Sequence, residues 1–259
     1  MNLILLEPSE VDDAGAAVLS GRRARHAAAV LRAAPGRTLR VGRIDGPLGE
    51  ATVTRSGGGE LALSCRFEPV PPPRAPVDLL LALPRPKAMK RLWAPLAAMG
   101  VDRLLLSNAE KVERMYFDTH VLDPAFRRAL LLEGLEQARD TRLPEVTIHR
   151  RLKVLIEDDL DALGPRNPRA LRLLADPGAD AGVGERIRAA APERVLLAVG
   201  PEGGWTGYER DLFARHGFEP AGLGPRPLRS DTACIALLAV AHEALREAAR
   251  GAGRPPEPA

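Results

Sequence analysis

From residue 77 onward, short unbroken apolar runs alternate with longer stretches whose apolar residues recur every three or four positions. Short runs bounded by glycine or proline read as buried strands, and the wider spacing reads as helix. On this basis residues 77–83, 103–106, 146–149, 171–175, 195–199 and 218–222 are predicted strands. Residues 87–99, with Pro95 inside, 123–139, 152–163, a segment starting near Thr206, and 232–250 are predicted helices. Thr206 and Glu209 have the spacing of a capping box, and Ser230 and Asp231 suit the cap of the last helix. Such alternation predicts an α/β fold with a mainly parallel sheet covered on both faces.

The pattern before residue 77 differs. Residues 38–44 and 50–55 alternate polar with apolar around Asp45-Gly46-Pro47, and Ser56-Gly57-Gly58-Gly59 leads into a third strand at 61–67. A helix over 21–32 puts His26, Val30 and Arg22 on neighbouring faces. The expected organisation is therefore a small β domain over 1–70, a proline-rich linker over 71–76, a second domain over 77–250 and a disordered tail over 251–259.

Charge sharpens this picture. The net charge is +3, and seven arginines, among them Arg22, Arg25 and Arg32, crowd between Asp13 and Asp45 with no acid between them. Arg85, Lys87, Lys90 and Arg91 form a second acid-free cluster. Clustered cations suit RNA phosphates, whereas 3% aromatic residues argue against a broad stacking platform. His26 has two readings, a half-buried or capping histidine or an RNA contact. No apolar run approaches eighteen residues and the opening segment lacks a basic leader, so the expected setting is the cytoplasm. Cys65 and Cys234 offer no metal spacing, the five histidines are scattered, and no metal site is expected. Phosphate-loop, dinucleotide and serine-elbow motifs are incomplete or missing.

Two glycine- and proline-rich loops carry the chemistry. Gly200-Pro201-Glu202-Gly203-Gly204 follows the strand at 195–199, and 222–229 follows the strand at 218–222. Both sit at carboxyl ends of strands, where open α/β sheets bind ligands. The pair Gly200–Gly204 and Leu223-Gly-Pro-Arg-Pro-Leu-Arg-Ser-Asp-Thr-Ala233 resembles the signature of the RsmE-type methyltransferases, SPOUT enzymes that methylate uridine N3 in 16S ribosomal RNA. Further likeness runs through His26, Val30-Leu-Arg32 and Glu136-Gln137. Departures at Ala98-Met99, Ala138-Arg139-Asp140 and Asp231 mark a divergent member.

The resemblance implies a carboxy-terminal trefoil-knot domain, an amino-terminal PUA-like β-barrel that binds RNA, and a homodimer. It implies S-adenosylmethionine as cofactor, lined by Leu174, Ala175, Gly200, Pro201, Glu202, Gly203, Leu223, Gly224, Leu228, Arg229 and Thr232. Arg229 is the first candidate for stabilising charge on the uracil oxygens, and Arg226 could do the same or bind phosphate. Glu202 either orients its loop or accepts a proton. RNA contacts are expected from Arg22, Arg25, His26, Arg32, Lys87, Lys90 and Arg91. Ile235, Leu238 and Val240 are candidates for a dimer contact or for core. Two rival readings remain at this point: the same fold and cofactor with another RNA target, and a non-catalytic RNA-binding protein.

Overall fold

The computed structural model describes residues 3–161 and 170–251, with the backbone alone for Arg22 and Val30. The expected tail beyond Gly251, and the end of the helix expected over 152–163, lie outside the described residues. The chain forms two compact units. One comprises the chain to Pro73 with Leu131–Leu143; the other comprises Arg74–Leu130 and the chain from Pro144.

The first unit holds β1 (Ile4–Leu6), β2 (Ala16–Ser20), α1 (Gly21–Val30), β3 (Thr38–Arg43), β4 (Leu48–Gly57) and β5 (Glu60–Phe67). Its sheet has the order β1-β3-β4-β5-β2, antiparallel except for the β1–β3 pair. Ile4 and Leu6 on one edge strand and Ala17 and Leu19 on the other enter the same buried cluster. The sheet therefore curls around its own core, closed further by Ala24 and Ala27 of α1. The helix is shorter than expected because Arg32 adopts φ 51°, which ends helical geometry.

The second unit holds β6 (Val77–Ala82), α2 (Pro86–Ala98), β7 (Arg103–Ser107), α3 (Pro124–Ala138), β8 (Glu145–His149) and α4 (Leu152–Val154), which continues as a π turn over Leu155–Asp159. The residues of α3 from Leu131 belong to the first unit. After the residues left undescribed come β9 (Leu171–Ala175), α5 (Val183–Ala190), β10 (Val195–Val199), α6 (Gly207–Arg215), β11 (Phe218–Ala221) and α7 (Ser230–Gly251). Six strands, all parallel, form one sheet in the order β11-β9-β10-β6-β7-β8. Every residue of β6 and β10 is buried, so the sheet's centre is covered on both faces.

The local signals explain most boundaries. Thr206 caps α6, its hydroxyl accepting from Glu209 N at 3.3 Å while Glu209 Oε2 accepts from Thr206 N at 2.8 Å. Asp123 Oδ1 accepts from Ala125 N and Phe126 N and so opens α3. Ser230 and Asp231 are not caps: α7 begins at Ser230, and its first carbonyl acceptor is Arg229 O, 2.8 Å from Ala233 N. At the amino ends of the strands, Arg194 joins Asp78 at 2.8 Å and Asp102 at 2.7 Å, with Arg103 on Asp78 and Arg74 on Asp102.

Candidate functional site

Strand order brings the two loops together. β11, β9 and β10 are neighbours, so Ala221, Ala175 and Val199 end side by side at the sheet's carboxyl edge. The strand order also reverses near here, because β6, β7 and β8 run outward in one direction and β9 lies on the far side of β10. Such reversals open a crevice above the sheet.

Here the crevice is a cleft of about 310 Å³, within the range of small-molecule sites. Its walls are Ala175–Pro177, Val199–Trp205, Ala221–Gly224 and Arg226–Leu228, with Ala233 and Leu237 of α7 behind. Ser230, Lys111 and Arg210 complete it. Backbone pairing locks the loops: Gly222 N donates to Ala181 O at 2.9 Å, Gly222 O accepts from Val183 N at 3.0 Å, and Asp176 N donates to Ala221 O at 3.1 Å. Lys111 Nζ donates to Gly203 O at 2.6 Å, tying the other loop down.

Glycine is needed at specific points of this wall. A Cβ at Gly222 would fall 2.9 Å from Asp176 O, and one at Gly200 would fall 3.0 Å from Trp205 Nε1. Gly224 adopts φ 104°, which side chains disfavour. Beneath Gly200 the Trp205 ring is buried on Phe213, and its Nε1 finds no acceptor among the described residues.

The predicted site residues divide. Ala175, Gly200, Pro201, Glu202, Gly203, Leu223, Gly224, Leu228 and Arg226 line the cleft. Leu174, Arg229 and Thr232 do not. Leu174 points the other way on β9 and is buried in the core; Arg229 and Thr232 at the head of α7 face solvent. Glu202 and Arg226 are exposed on their loops.

Of the expected RNA contacts, Arg25, His26 and Arg32 are exposed in the first unit, while the Arg22 side chain lies outside the described residues. Lys87, Lys90 and Arg91 are exposed on α2. Lys90 lies 5.8 Å from the centre of the Phe126 ring. Arg91 donates to Asp231 Oδ2 at 2.5 Å, a bond that holds the Asp231 carboxyl below its ordinary range. Leu238 is core, and Val240 stands beside Gly184 of α5. Cys234 is buried, and its thiol is pushed up to about 12 by that burial.

Sequence reasoning missed Lys111, Asp176, Trp205 and Arg210. Asp176-Pro177-Gly178 was detectable as a turn at a strand's carboxyl end. Lys111 carried no local signal. Among the described residues no group of His, Cys, Asp and Glu converges to hold a metal, and no helix is long and apolar enough to cross a membrane.

The RNA methyltransferase domain family matches residues 71–242. Ribosomal RNA small subunit methyltransferase E of Treponema pallidum is 32% identical over 254 residues, covering 93% of this chain and 92% of that protein. Its namesake in Mycobacterium bovis is 31% identical over 242 residues, covering 92% and 90%. Among solved structures, a ribosomal RNA small subunit methyltransferase E from Neisseria gonorrhoeae bound to S-adenosyl methionine superposes with a TM-score of 0.73 at 20% identity, covering 94% of this chain and 97% of that one. A family match over most of the second unit, joined to relatives that align along nearly the whole chain, places this protein in the ribosomal RNA small subunit methyltransferase E family.

Proposed function

We propose that this chain methylates N3 of a uridine in 16S ribosomal RNA, using S-adenosylmethionine held in the cleft above β9, β10 and β11. The observation that carries the reading is the cleft itself, because its lining suits each part of that ligand. Main chain and the apolar side chains of Leu223, Leu228 and Leu237 form a slot for a flat base. Carboxylates of Asp176 and Glu202 offer acceptors for hydroxyls and an ammonium group, and Lys111, Arg210 and Arg226 offer partners for a carboxylate. Bound there, S-adenosylmethionine supplies a methyl group carried on a sulfonium sulfur.

The chain's own residues supply alignment and charge control. Uridine N3 must lose its proton, and the resulting charge spreads over O2 and O4. Arg226, in the cleft lining, is placed to hold that charge, and Arg229, exposed three residues on, serves the neighbouring phosphate. Glu202 is exposed at the cleft with no partner holding its carboxylate among the described residues, which suits it to take the N3 proton. The first unit, with Arg25, His26 and Arg32 exposed, binds RNA, and the chain works as a cytoplasmic homodimer.

The test is direct. Purified chain, S-adenosylmethionine with a labelled methyl group and unmodified small-subunit RNA are incubated, and the nucleosides are resolved by mass spectrometry. Label in 3-methyluridine is expected. Label in a ribose-methylated nucleoside or another base would overturn the target, and no transfer to any RNA would overturn the enzymatic reading.

A further inference from the structure

A second feature opens at the carboxyl edge of the same sheet, over β7 and β8. Two adjoining recesses of about 570 and 600 Å³ share Asn108, Arg114, Leu152 and Lys153. They share no lining residue with the cleft. The chain nevertheless links them closely, since Glu110 and Thr206 line the groove while their neighbours Lys111 and Trp205 line the cleft.

The charge of this groove is one-sided. Arg114, Arg150, Arg151 and Lys153 line it. The acids facing them are Glu110, which is exposed, and Glu209, which is buried and already accepts from Glu110 N at 2.8 Å and from Thr206 N at 2.8 Å. Arg150 is held by Asp118 at 2.7 Å and lies over the Phe117 ring, and Lys153 stands 3.7 Å from Glu157. Arg114 and Arg151 make no ion pair among the described residues. Tyr208, in the lining of the same groove, leaves 57% of its surface in solvent.

We propose that this groove is the path of the single-stranded RNA segment that carries the target nucleotide, with Arg114 and Arg151 on its phosphates and one unpaired base stacked on Tyr208. Unneutralised guanidinium groups around a long recess attract a polyanion, and an exposed ring beside them offers a face to any base. A free phosphate ion would use the cations but gain nothing from the ring. This inference rests on the reading of RNA as substrate, and it names the residues outside the cleft that present it.

The full-length chain is tested with fluorescein-labelled oligouridylate by anisotropy across a series of salt concentrations. Arg114→Glu with Arg151→Glu is expected to weaken binding at least tenfold and to flatten the salt dependence of log K by about 1.4, the value for two single-strand phosphate contacts. Tyr208→Ala is expected to weaken binding severalfold and leave the slope unchanged. Affinity for S-adenosylmethionine and the unfolding temperature stay at parental values in both variants. Parental affinity and slope in the arginine variant, with methyl transfer intact, overturns the groove alone. Duplex RNA bound as tightly as oligouridylate also overturns it. A parent chain that transfers no methyl group to any RNA overturns the earlier reading instead.

Discussion

Gly222→Ala is the most demanding test of the cleft. The added Cβ would meet Asp176 O at 2.9 Å and Ala179 O at 3.6 Å, and both obstacles are main chain. They cannot turn aside as a side chain would, because Gly222 itself bonds to Ala181 and Val183 and its neighbour Ala221 holds Asp176. Forcing an extra carbon into such a wall costs about 1–3 kcal/mol, equivalent to about 5- to 150-fold in an equilibrium constant. Gly203→Ala is the matched control. Its Cβ comes closer still, 2.7 Å from Lys111 Cδ, yet that atom belongs to an exposed flexible stem. Calorimetry with S-adenosylmethionine and a thermal melt should be run on both. Gly222→Ala is expected to lose affinity by the stated factor, with any remainder as a fall in melting temperature of about 2–4 °C per kcal/mol. Gly203→Ala is expected to stay within a few-fold of the parent. The reasoning is refuted if Gly222→Ala binds and melts like the parent, or if Gly203→Ala proves the more damaging of the two.

Four other outcomes follow from the geometry. Arg194→Met removes the cation shared by Asp78 and Asp102, which are 1% and 3% exposed, and should cost about 3–5 kcal/mol, read as a drop in melting temperature; an unchanged melt would mean that Arg103 and Arg74 suffice. The Cys234 thiol, pushed up to about 12 by burial, should stay silent to a disulfide reagent at pH 8 until the protein is denatured, and rapid native labelling would contradict that burial. Burial also holds the His242 imidazole below its ordinary value, against the Gly100 carbonyl that partly restores it. The unfolded chain then takes up a proton at about pH 6.5 that the folded chain resists, so this contribution is present above that pH and lost as pH falls to the folded value. His242→Gln should therefore lessen the acid-side loss measured by denaturant titration at pH 5 and pH 7. Because Arg91 is engaged by Asp231, Arg91→Ala should change the salt slope of RNA binding less than Lys87→Ala does, and the reverse order would show that the ion pair opens on binding.

How far the sequence discloses this molecule depends on whether a feature is local. β9 and β10 appear with their predicted ends because a buried parallel strand is a continuous apolar run. β1 escaped notice because three residues, Ile4–Leu6, pair with a strand more than thirty positions away and no hairpin announces them. α5 was missed because two glycines, Gly182 and Gly184, mark its start like a loop. In the site, glycine and proline pointed to both loops, since those residue types are selected by backbone geometry. They could not say which loop arginine faces the cleft, and Arg226 and Arg229, three positions apart, take different surroundings.

Net charge hides what the sheet separates. At the amino ends of the strands two buried carboxylates are paired with cations, Arg194 bridging Asp78 and Asp102 with Arg103 and Arg74 outside them. Groups paired in that way are closed to a ligand, because breaking the pair would strand a buried charge. At the carboxyl ends Arg226, Arg114 and Arg151 line open hollows and carry no acid on them among the described residues. A total of +3 is thus a poor guide to binding, whereas the unpaired guanidinium groups at one edge of the sheet state where an anion can dock. The consequence is directional: reversing charge at the carboxyl edge should act on RNA affinity and spare the fold, and reversing it at the amino edge should act on the fold and reach RNA only through unfolding.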